Sequence, residues 1–203
     1  MKIAIVDYGM GNIHSLNGAL KYLSFSKIIL SNKIKDLESA DKLILPGVGN
    51  FSAAMKELNS LKLDQHLKNL ILIDKKPILG ICLGMQLLCK TSMEGGFTNG
   101  LNLVDACVTE FNKDQVKVPH VGYNQIITNK HSKLYSNISE SPDFYFTHSY
   151  KVHSDENICQ SFCSYQDDFI ASFELDNIAG VQFHPELSQK NGLQLLKNFL
   201  DLF

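Results

Sequence analysis

What these 203 residues lack removes whole classes of function. There is no basic surplus: 19 Lys and Arg stand against 21 Asp and Glu, a net charge of -2, so no electrostatic footprint for nucleic acid is present. No apolar run approaches the ~20 residues a helix needs to cross a bilayer. The opening run Met1–Asp7 is too short for a secretory leader and is closed by an acid. A soluble, cytoplasmic protein is expected. The five cysteines are odd in number and contain no Cys-x-x-Cys, which argues against a disulfide framework and against a zinc site. Cys159 and Cys163 read as reduced structural thiols, and Asn137-Ile138-Ser139 as a chance glycosylation match. No metal or organic cofactor motif is evident. No linker, repeat or low-complexity tract divides the chain, and 44% hydrophobic residues suit a substantial core, so residues 1–203 are expected to form a single domain.

The first half alternates short apolar runs with helical periodicity. Lys2–Val6 reads as a buried strand, followed by the turn Tyr8-Gly9-Met10-Gly11-Asn12. Next comes a helix with Ile13, Leu16, Leu20 and Leu23 on one face. Lys27–Leu30 and Lys42–Leu45 are further strands, and Phe51, Met55 and Leu58 mark another helix. Pro77–Ile81 is the next strand. This order predicts an α/β fold, with a mostly parallel central sheet and helices on both faces. The turns at Gly9, Gly47 and Cys82 should then cluster beyond the carboxyl ends of the strands. The second half carries additional short strands, expected at Leu103–Thr109, Gln115–Val118, Phe144–Thr147, Asp168–Phe173 and Ile178–Phe183. Leu193, Leu196, Phe199 and Leu200 form a terminal helix stripe.

Gly80-Ile81-Cys82-Leu83-Gly84 sits between a strand and a helix, the context of a nucleophile elbow. Its glycines permit a sharp turn, and the helix N-terminus favours a thiolate over a thiol. Taken alone, Cys82 reads equally well as a small buried hydrophobe. A nucleophile needs a base, and the base needs an orienter. Val181-Gln182-Phe183-His184-Pro185-Glu186 offers both, with His184 and Glu186 two apart and therefore on one side of an extended segment. Pro46-Gly47-Val48-Gly49 is a glycine-flanked loop whose free N–H groups suit an oxyanion hole together with that of Leu83. Gln86 lies one helical turn beyond Cys82.

Gly-x-Cys-x-Gly-x-Gln followed much later by His-Pro-Glu resembles the class I (triad) glutamine amidotransferases. Within them the chain is most similar to the glutaminase subunits of imidazole glycerol phosphate synthases. Residues 7–12, 45–49, 80–86, Pro119-His120-Val121-Gly122, 144–150 and 180–186 carry the likeness in the family's order. The resemblance implies a flavodoxin-like fold. Cys82 would attack the side-chain amide of L-glutamine, His184 would serve as base and then acid, and Glu186 would orient it. The N–H groups of Val48 and Leu83 would hold the oxyanion. Gly49, Gln86, Ser149 and Tyr150 would bind the substrate. No metal or cofactor is implied. The implied partner is a (β/α)8-barrel cyclase subunit in a heterodimer, which receives ammonia through a tunnel and makes imidazole glycerol phosphate and AICAR in histidine biosynthesis.

Two positions depart from the family. Leu187 stands where a lysine usually follows His-Pro-Glu, and Tyr123 where a tryptophan is usual; the chain has no tryptophan at all. Leu187 cannot form the ion pair expected with a cyclase. An alternative is therefore a paralogous glutaminase serving another synthase, such as an amidating enzyme of surface-polysaccharide sugars. A thiol hydrolase on the same fold is opposed by Gln86 and by the joint presence of His184 and Glu186. A non-catalytic binding subunit is opposed by the complete triad.

Overall fold

The computed structural model describes residues 1–165 and 167–203. In chain order the elements are β1 (Ile3–Val6), α1 (Ile13–Tyr22), β2 (Ile28–Ser31), α2 (Ile34–Glu38), β3 (Lys42–Leu45), α3 (Phe51–Ser60), α4 (Leu63–Leu72), β4 (Ile78–Ile81) and α5 (Leu83–Leu88). There follow β5 (Cys89–Ser92), β6 (Thr98–Asn99), β7 (Val104–Glu110), β8 (His120–Gln125), β9 (Asp143–His148), β10 (Tyr150–His153), β11 (Ser161–Tyr165), β12 (Asp167–Leu175), β13 (Ile178–Val181) and α6 (Gln189–Leu202).

The main sheet runs β2-β1-β3-β4-β13-β12-β10-β7-β5-β6, with β11 on β12. The block β2-β1-β3-β4-β13 is parallel throughout, as the alternating sequence pattern predicts. From β12 onward most pairings are antiparallel, and β8 and β9 form a separate hairpin-like pair. Strand alternation divides the core in two. Ala4, Val6, Leu43 and Leu45 meet α2 to α5 on one face, whereas Ile3, Ile5 and Ile44 meet α1 and α6 on the other. Each buried Leu, Ile or Phe contributes about 2 kcal/mol of transfer free energy, so the two layers fix the parallel strands firmly. No helix among the described residues is long and apolar enough to cross a membrane.

The sequence expectations hold for α1, α3, α6 and the parallel strands, with ends displaced by a residue or two. One expected strand is absent: residues 115–118 form turns, not a strand. The N–H groups of Gln115 and Val116 both donate to Asn112 O, and Pro119 has no N–H to extend a ladder. The segment belongs to a loop that leads into β8. The final strand also ends early, at Val181, and Pro185–Leu187 is a short 3-10 turn. His184 and Glu186 are therefore not side by side on an extended segment; the turn brings them together instead.

Candidate active site

β1, β3 and β4 are parallel neighbours, and the turns that follow them meet at their carboxyl ends. Cys82 occupies the turn after β4 with φ 54 and ψ -111, a conformation that L residues avoid and that costs roughly 1–3 kcal/mol. The surroundings enforce it. Cys82 N donates to Val181 O at 2.7 Å, and α5 starts at the next residue. Gly84 is required by close approach: a Cβ there would lie 1.8 Å from Leu45 O. Tyr8 pins the neighbouring turn by donating its hydroxyl to Pro46 O at 2.6 Å. Burial, reinforced by the adjacent Cys82, pushes that phenol far up, so it remains a donor.

The cavity beside Cys82 holds about 280 Å³. Every binding or oxyanion residue expected from the sequence lines it: Val48, Gly49, Leu83, Gln86, Ser149 and Tyr150. Gly49 has φ +105, within the region that favours glycine. Among the described residues, the N–H groups of Val48 and Leu83 have no hydrogen-bond acceptor, which leaves them free for an anion.

His184 follows β13 and is held by its own backbone. Its N–H donates to Tyr145 O at 2.9 Å, and Ser188 Oγ donates to its carbonyl at 2.6 Å. Nδ1 lies 2.9 Å from Glu186 Oε1, with both side chains almost fully buried. Since Oε1 is a carboxylate acceptor, Nδ1 carries the proton. Among the described residues, Nε2 has no hydrogen-bond partner. Burial works against a charged ring, but the adjoining Cys82 and Glu186 outweigh it and hold the imidazole pKa up at about 10. The thiol itself faces Thr147 O at 3.9 Å, and Gln182 Nε2 donates to Sγ at 3.7 Å.

Four participants were not singled out from the sequence. Glu94 lines the cavity, and its carboxylate accepts from Phe51 N, at the start of α3, at 2.7 Å. Gln182 is fully buried beside the thiol. His120 and His148 form a buried pair, Nδ1 to Nε2 at 3.0 Å. His148 Nδ1 donates to Tyr150 O at 2.7 Å; because that carbonyl can only accept, His148 Nε2 accepts from His120 Nδ1, and His120 Nε2 in turn accepts from Asn124 Nδ2 at 2.6 Å. Burial holds both rings neutral, His120 down to about 4 and His148 down to about 3. A readable signal existed for His148: it shares the inward face of β9 with Phe144 and Phe146.

A cysteine on a strained elbow, a buried histidine–carboxylate pair and a glycine-flanked loop together have the arrangement that thiol-dependent acyl transfer requires. The pattern of the family described as glutamine amidotransferase class-I matches residues 4–202, and the chain belongs to that family. It is 44% identical over 201 residues to the imidazole glycerol phosphate synthase subunit HisH 1 of Campylobacter jejuni (strain RM1221), covering 98% of this chain and 100% of that one. It is 43% identical to subunit HisH of Aquifex aeolicus (strain VF5), covering 98% and 96%. Among solved structures, a glutamine amidotransferase superposes with a TM-score of 0.76 at 17% identity, over 98% of this chain and 97% of that one, a likeness of fold.

Proposed function

We propose that this chain is the ammonia-producing half of an imidazole glycerol phosphate synthase, a single amidotransferase domain spanning residues 1–203 that works in the cytoplasm. One observation carries the reading. Cys82 sits on a strained elbow beside the buried His184–Glu186 pair, in a chain 44% identical along 98% of its length to a subunit of that synthase.

The thiolate of Cys82 attacks the side-chain carbonyl carbon of L-glutamine, and the C=O pair of electrons moves onto oxygen. That oxyanion lies against the free N–H groups of Val48 and Leu83. Glu186 holds the proton on Nδ1, so Nε2 of the charged His184 ring is the atom that faces the reaction; as the oxyanion collapses and the C–N bond breaks, Nε2 gives its proton to the leaving nitrogen, so that NH3 departs and a glutamyl thioester remains on Cys82. Water then loses a proton to His184 and cleaves the glutamyl thioester, releasing glutamate and restoring the thiolate. Glu94 supplies negative charge for the substrate's α-ammonium group. Both N–H bonds of Gln86 are committed, to Tyr150 O at 3.1 Å and Gln182 Oε1 at 2.9 Å, so Gln86 offers glutamine its oxygen alone.

Ammonia released into water would be protonated and lose its nucleophilic lone pair. A cyclase barrel docked over the cavity receives it directly. One observation favours a second reading, in which the same chemistry serves another synthase: Leu187 is 38% exposed beside Glu186 and offers no charge to a cyclase.

The test is glutamate release from glutamine by the purified chain, alone and with the histidine-pathway cyclase and its nucleotide substrate. Strong stimulation by the loaded cyclase is expected. No stimulation, with both chains folded, would move the assignment to another synthase. Cys82→Ala should abolish glutamine-dependent synthesis while synthesis from ammonium salt survives.

A further inference from the structure

We infer that Gln182 is a catalytic residue whose side-chain amide donates to Cys82 Sγ and stabilises the thiolate. The inference rests on the reading of Cys82 as nucleophile.

Its orientation is fixed by a chain of donors and acceptors that starts at a backbone carbonyl. Tyr150 O can only accept, so the Gln86 atom 3.1 Å away is nitrogen. The same nitrogen lies 2.9 Å from the Gln182 side chain, which must present oxygen to it. The remaining Gln182 atom is therefore the NH2 group, and it lies 3.7 Å from Sγ. His148 also donates to Tyr150 O and helps hold that carbonyl in place. Gln182 N donates to Ala171 O at 2.8 Å, so the backbone cannot swing the amide away.

The chemistry follows from the surroundings. Cys82 is 5% exposed and Gln182 fully buried, so water cannot solvate a thiolate from that side. A fixed N–H dipole aimed at sulfur replaces the missing solvent. A purely structural amide would need only its bond to Gln86.

The test is alkylation of Cys82 by iodoacetamide in the full-length chain, followed across pH by mass spectrometry of the peptide that carries it. Gln182→Met removes the donor at similar size; the rate at neutral pH should fall about tenfold and the profile should move to higher pH. Gln182→Glu still accepts from Gln86 but sets an oxygen against sulfur, and should fall further. Unchanged profiles in both variants would overturn the inference. Should neither variant fold, the unmodified chain decides. The Gln182 side-chain NH2 resonances should shift as Cys82 ionises, and not in Cys82→Ala; resonances indifferent to the thiol would overturn it. Failure of the nucleophile assignment reads differently: Cys82→Ala would still hydrolyse glutamine.

Discussion

His184 and His148 are both nearly closed to water, 2% and 7% exposed, yet they are held in opposite charge states. His184 meets a buried carboxylate and a thiol, and its pKa rises to about 10. His148 meets a carbonyl, a second imidazole and the rings of Phe111, Phe146 and Phe169, and its pKa falls to about 3. Burial is common to both, so the partner decides. An anion within hydrogen-bond reach overturns the desolvation cost of an imidazolium, whereas a dipole does not. On the proposed mechanism one histidine moves protons, whereas the other holds a fixed tautomer.

The largest test of this contrast is removal of each ring. His184→Ala should lower glutamine hydrolysis by about 10⁴-fold or more, as loss of a triad member does. His148→Phe, placed among aromatic neighbours, should cost only about tenfold, through a loosened Tyr150 carbonyl. Equal losses in steady-state assays would mean that His148 also carries protons. Next in size is Glu186→Gln. The amide keeps the hydrogen bond to Nδ1 but removes the charge, so the His184 pKa should drop and hydrolysis fall by up to about 10⁴-fold, no more than for His184→Ala. An unchanged pH–rate profile in that variant would show that Glu186 does not set the charge of the ring.

The two histidine sites also pull stability in opposite directions with pH. His120 and His148 are neutral in the fold and take up protons near pH 6.5 once unfolded. The unfolded chain therefore binds more protons, and their contribution is present above about pH 6.5 and lost as pH falls toward 4 and 3. His184 is the reverse: its contribution is full below about 6.5 and lost as pH rises toward 10. Urea unfolding from pH 7 to pH 4.5 should lose on the order of 2 kcal/mol from each ring of the neutral pair. Unfolding of His148→Phe should show a shallower acid limb; an identical limb would place the acid sensitivity elsewhere.

Much of this was legible beforehand because it is local. Gly80 to Gly84 announces an elbow within five residues, and His184 and Glu186 are two apart. The parallel half follows from alternating runs, each long enough to set its own period. Gln182 and His148 were hidden for the opposite reason. Each acquires meaning only through a partner far along the chain, Gln182 through Gln86 and His148 through His120. Glu94 sits in a short loop after β5 with no periodicity around it. Residues 115–118 mimicked a strand because alternation of apolar and polar residues also suits a loop with one covered side.

The smallest test asks whether the two sites communicate. Tyr123 lies on β8, the strand that also carries His120 and Asn124, and its hydroxyl donates to Leu187 O at 2.6 Å, next to Glu186. It is a side-chain bond from the neutral-histidine strand to the turn that holds the charged pair. Tyr123 is 46% exposed, so water can replace the lost partner, and Tyr123→Phe should cost under about 1 kcal/mol of stability. Hydrolysis by the isolated chain should change less than about threefold, since Glu186 is held against His184 by its own turn rather than by Tyr123. A larger loss, with the fall in rate tracking a lowered His184 pKa in the pH–rate profile, would mean that β8 sets the position of the carboxylate. The contrast between the two histidines would then be one coupled arrangement, tunable from the exposed face of Tyr123 and Leu187.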